Sequence, residues 1–236
     1  MKPLPIISVI LIILLAIGSV AYLTAGHIAI FIAGKANNLD ISYEGMTHEG
    51  FHTFDFTNLT ATDTKTGTGI FAKRALVKPG LQDVFQDLLA GRMTIDITMA
   101  EVNFTRREPE KKESLDSIEG LVSVPFSSQW KYQSVTGQLQ TTPDMISTRD
   151  LMITGDQIKL KVTGDLHTDC TVAADITIYF ANELLRKIPE DMIRMVLKDE
   201  GDGWRTFSVK LAGNYNDPSI EITGRQFRLS IGLSTA

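Results

Sequence analysis

The sequence predicts a mainly β protein with an N-terminal transmembrane helix. Its body is a twisted antiparallel sheet, curved and groove-like or packed as a sandwich, with two short amphipathic helical insertions. Three observations predict this: a charge-free apolar start, two-residue alternation through most of the remainder, and two stretches with helical spacing.

Residues 3–34 contain no Asp, Glu, Lys or Arg, and residues 6–25 are almost continuously apolar. As a helix, twenty such residues span ~30 Å at about 1.5 Å each, the thickness of a bilayer's hydrocarbon core. A cleaved secretory signal has an apolar region of about 7–15 residues and then small residues. Ser19, Val20 and Ala21 would suit cleavage, but the apolar stripe continues through Ile28, Ile30, Phe31 and Ile32. An uncleaved anchor over residues 1–37 is the better reading. Lys2 and the amino terminus put its front end on the cytoplasmic side.

Strands follow from alternation, which places every second side chain on one face. Leu39, Ile41 and Tyr43 alternate, then Phe54 and Phe56, then residues 70–77 after a Thr-Gly-rich turn. Met93, Ile95, Ile97 and Met99 share one face opposite Thr94, Asp96 and Thr98. The apolar parity then moves to Val102 and Phe104, which predicts a bulge near Ala100 and Glu101. Ile158, Leu160 and Val162 form a later strand, and residues 170–180 the longest, with Cys170 as its first, packed member. Phe207, Val209 and Leu211 are followed by Ile220 and Ile222.

Helical spacing marks Leu81, Val84, Phe85, Leu88 and Leu89, with Pro79 before them and Gly91 as a stop. Residues 181–199 are amphipathic too. Pro189 divides them, and with Glu190 and Asp191 behind it is a favourable start for a second piece. Residues 106–117 are strongly charged without apolar period, a solvated loop. The chain thus reads as anchor 1–37, a first β part 38–105, loop 106–117, and a second β part 118–236 that opens on a short linking segment.

Past Lys35 the chain carries all 28 acidic side chains but only 21 of the 23 basic ones, so it has no electrostatic footprint for nucleic acid. The single cysteine, Cys170, cannot form an internal disulfide and reads as a small packed hydrophobe.

Chemistry is scarce. His48 and His52 lie four apart in an extended, Gly-flanked region and share no helical face. His167, Thr168, Asp169 and Cys170 list nucleophile, base and acid types, but strand neighbours point to opposite sides, and a turn is the simpler reading. Asp199, Glu200 and Asp202 among glycines lack the spaced ligands of a calcium loop and read as a solvated turn. Gly67 and Gly69 belong to neither a dinucleotide fingerprint nor a phosphate loop. No catalytic residue, metal ligand or cofactor site is predicted.

What remains is the sheet. Its apolar face is either buried in a closed core or open as a trough for acyl chains, whose burial is worth about 25 cal/mol per Å². Candidate lining residues are Ile95, Ile97, Met99, Ile158, Leu160, Val172, Ile176 and Ile178, each on an alternating apolar face.

Two sets of residues carry a family resemblance. The first runs from the anchor into Leu39-Asp40-Ile41-Ser42-Tyr43 and Phe54-Asp55-Phe56-Thr57-Asn58-Leu59. It continues through Val77-Lys78-Pro79, Leu88-Leu89-Ala90-Gly91 and Met93-Thr94-Ile95. The second comprises Gly137-Gln138-Leu139, Ser147-Thr148-Arg149-Asp150-Leu151, Gly155, Lys159-Leu160 and Gly164-Asp165-Leu166. Residues 175–180, a helical insertion and Gly213-Asn214-Tyr215-Asn216-Asp217-Pro218 close it. In this order of motifs the chain resembles the AsmA-like family of bacterial envelope proteins. The resemblance implies a single-pass inner-membrane protein with a periplasmic β-rich body and a non-enzymatic role in envelope lipid homeostasis, with the bilayer and phospholipid as partners. Members that bridge membranes are far longer than this chain. The layout is also similar to the type II secretion system protein N, an inner-membrane accessory, which implies contacts with envelope or secretion proteins instead.

Overall fold

In the computed structural model, residues 39–49, 53–64, 67–79, 92–106, 115, 117–186, 188–214 and 217–232 are described. The expected anchor, the expected helix at 81–90, His52 and most of the charged loop lie outside them. Among the described residues no helix is long and apolar enough to cross a membrane.

Among the described residues alternation produces one antiparallel sheet of 13 strands rather than a two-sheet sandwich. In chain order the first strands are β1 (Leu39–Ser42), β2 (Gly45–Glu49), β3 (Thr53–Asp63), β4 (Thr68–Pro79) and β5 (Met93–Arg106). There follow β6 (Lys131–Thr142), β7 (Met145–Thr154), β8 (Ile158–His167), β9 (Thr171–Ala181), β10 (Lys198–Gly201), β11 (Trp204–Asn214), β12 (Asp217–Thr223) and β13 (Arg228–Gly232). The spatial order is a meander, β1-β3-β4-β5-β6-β7-β8-β9-β11-β12-β13, with β2 also on β3 and β10 also on β11. The charged loop does not interrupt it: β5 pairs with β6 from Met93↔Thr141 to Asn103↔Lys131.

Among the described residues three α-helices accompany the strands: α1 (Ile118–Ser123), α2 (Asn182–Leu185) and α3 (Glu190–Val196). Ser117 caps α1 by accepting from the Gly120 amide at 3.0 Å, and a 3-10 turn, Val124–Phe126, follows it. The linking segment is therefore helical. The insertion after β9 divides at Pro189, the N-cap of α3, as the sequence predicts. It ends earlier than its amphipathic pattern suggests, because Lys198 already pairs with Thr206 as the start of β10. Asp199 and Glu200 accordingly lie on a strand, and only Asp202, at φ 49°, lies in the turn.

Cys170 departs from expectation as well. It sits at φ 69° in the β8–β9 turn, half-buried, not packed on a strand. Asp169 accounts for the turn: its carboxylate accepts from the Thr171 amide at 2.9 Å, a local bond that favours a reversal over continued strand. His167 ends β8, so the cluster at 167–170 is a hairpin turn.

One feature organises the first half of the sheet. Facing residues Phe56, Ala75, Met99 and Val135 form one inward row, and Leu59, Ala72, Val102 and Tyr132 form the next. Between these rows every strand has two residues rather than one, and both avoid the core: Thr57 and Asn58, Lys73 and Arg74, Ala100 and Glu101, Gln133 and Ser134. The break between β1 and β2 falls on the same line, since Ser42↔Thr60 and Gly45↔Thr57 keep one register across it. An extra residue in one strand is a bulge; here neighbouring strands share it, so facing residues stay opposite while the inward parity switches. Asn58 and Glu101, both at φ 51°, take the left-handed conformation this requires in alternate strands. We call this line the crease. The bulge expected at Ala100 and Glu101 is one fifth of it.

In β7 the same irregularity is private. Pairing shifts between Thr148 and Leu151 on one side and between Thr136 and Leu139 on the other, so Arg149 and Asp150 bulge together into solvent. Gly137 makes room for it, since a Cβ there would lie 2.8 Å from Leu151 Cα.

Candidate functional site: the apolar face

All eight candidate residues point to the same side of the sheet, and each is buried, from 0% exposure at Ile95 to 8% at Val172. The register shows how they meet. One row runs Met46–Phe56–Ala75–Met99–Val135–Ile153–Leu160–Ile178–Phe207, each residue facing the next across adjoining strands. It crosses both halves and contains Met99, Leu160 and Ile178. Ile176 lies on a parallel row with Val162 and Val209, and Ile97 faces Val77 on one side and Gly137 on the other. Ile95 faces Leu139, Ile158 faces Phe180, and Val172 faces Leu166 near the strand ends.

The helical segments lie on this face. Phe126 packs 5.7 Å from the Phe104 ring, and Tyr132 meets Phe104 edge-on at 5.6 Å. The Tyr132 hydroxyl donates to the Pro125 carbonyl, tying the 3-10 turn to β6. Burial also holds the Tyr132 phenol in its neutral form, with its pKa pushed well above the usual value. At the other end Leu185, Ile188, Val196 and Leu197 join the same buried cluster. Backbone amides of Arg225 and Gln226 donate to the carbonyls of Val196 and Met195, pinning the end of α3 to the β12–β13 turn. Gly224 is required there, because a Cβ would lie 2.2 Å from the Val196 oxygen.

The opposite face is polar and charge-paired. Along the crease Asn58 donates to Glu44 at 2.6 Å and Lys73 to Glu101 at 2.7 Å, and Gln133 donates to Asp156 in the β7–β8 turn. Arg74 grips Asp55 through two nitrogens, and that hydrogen-bonded guanidinium holds the Asp55 carboxyl below the usual carboxylate range. Lys159 lies 3.7 Å over the Trp204 ring. The Lys198 ammonium and Thr206 hydroxyl bond Glu200, lowering its pKa, while Asp199 accepts from the Gly201 amide. Among the described residues no group of three or more His, Cys, Asp or Glu could hold a metal ion. A hollow of about 170 Å³ lies beside Trp130, Tyr132, Gly155 and Asp156.

Sequence reading missed Val135 and Ile153, which complete the long row. Tyr132, Val135 and Leu139 are spaced three and four apart, a helical spacing, because the crease and the inward Gly137 remove the expected alternation. A scan of protein-family models matches none to this chain, and neither the curated proteins nor the solved structures contain a match.

Proposed function

We propose that the chain is a non-enzymatic, membrane-anchored β-sheet protein of the AsmA-like type in the bacterial inner membrane. Its sheet lies on the periplasmic side and its apolar face takes phospholipid acyl chains in envelope lipid homeostasis. The observation that carries this reading is the nine-strand row from Met46 to Phe207, one uninterrupted apolar track opposite a charge-paired outer face. The test is mass spectrometry of lipid retained by the detergent-extracted full chain, with a photo-reactive residue at Val135. Phospholipid adducts at Val135, and none at outward Thr136, are expected. Lipid-free protein without adducts at Val135 overturns the proposal.

A second reading has its own support in the burial of the face: Ile95, Leu160 and Ile178 are each 0% exposed, as in a packed core. On that reading the protein is an accessory of the type II secretion system protein N kind, acting through protein contacts. Crosslinking in cells separates the two, since secretion-machinery adducts without lipid adducts favour the accessory.

A further inference from the structure

The two edges of the sheet are unlike. At one, the crease splits the edge strand into β1 and β2, of 4 and 5 residues, with Asp40 and Glu44 exposed. A broken, acidic edge is a poor template for another strand. At the other, β13 has no partner on its outer side among the described residues. The row Leu151–Val162–Ile176–Val209–Ile222 is buried throughout and then ends on β13 at Leu229, 40% exposed. The other large exposed hydrophobic among the described residues is Met195, 48% exposed. Its carbonyl accepts from Gln226, so both adjoin the hairpin that carries β13. Among the described residues, apolar exposure is thus concentrated beside an edge that pairs with no further strand, a combination that suits strand addition.

We propose that the occupant of this edge is a second copy of the chain, its β13 antiparallel to the first and centred on Ser230. This rests on the membrane-anchored part of the proposed function and not on lipid binding. The strand is self-complementary in that register: all five residues pair, Leu229 falls opposite the second copy's Ile231, and Arg228 falls opposite Gly232. Centring on Arg228 instead would set two guanidinium groups face to face, which is unfavourable. Arg228 is already held by Glu221 at 2.7 Å, which leaves no cation searching for a partner at the seam. The blunted β1–β2 edge makes the pair a closed dimer rather than the start of a filament. Five residues a side bury well under about 1,000 Å², so the pair is weak in dilution and forms at the high local density of a membrane surface.

Disulfide capture in membranes tests this, using the full chain with Cys170→Ser to remove the native thiol. Directly opposed residues of an antiparallel pair have Cα atoms about 4.5–5.5 Å apart, within disulfide reach. Ser230→Cys should give a covalent dimer under mild oxidation. Arg228→Cys should stay monomeric, since the pairing separates those positions by four residues, or ~13 Å. Adding Leu229→Lys to Ser230→Cys should reduce the dimer at least tenfold without lowering the thermal midpoint. A Ser230→Cys thiol that reacts with maleimide yet gives no dimer overturns the proposal. Equal capture at Arg228→Cys, capture against Asp40→Cys in mixed membranes, or a disulfide to a different protein overturns it as well.

Discussion

The two halves of the sheet absorb extra residues in opposite ways. In β1–β6 the extra residue is shared along the crease, so register survives and the inward parity changes together. In β7 it belongs to one strand, so pairing slips against both neighbours, while inward and outward residues still alternate in β8 and in β6 from Val135 to Leu139. Parity and register are therefore separable in a sheet. A shared insertion changes which residues face inward, and a private one changes which residues face each other.

The comparison breaks most severely if the halves fold separately. Leu160→Ala removes a fully buried side chain from the row common to both, at a cost of about 2–5 kcal/mol. Trp130 precedes β6 and Trp204 opens β11, so each reports a different half. Resolving the two by fluorescence during urea unfolding should give coincident, equally shifted transitions; a shift at Trp204 alone would show that the halves are independent. Next in size is the crease itself. Glu101→Val puts a β-branched side chain at φ 51° and should cost about 1–3 kcal/mol. Asp150→Val at the private bulge, exposed and without positive φ, should stay within about 0.5 kcal/mol. Equal midpoint shifts would contradict the distinction.

Tyr132→Phe leaves the Pro125 carbonyl without its donor and should cost about 1 kcal/mol, read from the thermal midpoint. The smallest effect is an acid one. Arg74 depresses the folded pKa of Asp55, so that pair's contribution is complete above the ordinary carboxylate pKa and fades as pH falls through the lowered value. Arg74→Gln should therefore lower stability slightly at neutral pH and flatten its fall below about pH 4, so that the two profiles converge in acid.

Sequence alone made much of this visible. The strands around Ile95, Leu160 and Ile176 alternate strictly because each has one buried face and no interruption where they were recognised. The step from Met99 to Val102 exposed one member of the crease. Its fellows at Asn58, Lys73 and Gln133 stayed hidden, because a doublet of outward residues in a short strand resembles the strand's end. Their alignment is a fact of pairing, which no single segment contains. β7 escaped for the same reason, its alternation cut by Arg149 and Asp150. Cys170 was misread because it continues the parity of Val172 and Ala174, while Asp169 had already turned the chain. The candidate residues could be chosen by pattern; that Met99, Leu160 and Ile178 fall in line depends on the register of strands far apart in the chain.

The crease also gives the first half a mechanical grain. Corrugated board folds readily along its flutes and resists folding across them. A seam of doubled residues running from Glu44 to Gln133 gives β1–β6 the same layout, two panels that meet along one fold line. The inward rows on either side are the panels, and Asn58 and Glu101 are the left-handed knuckles of the fold line among the described residues.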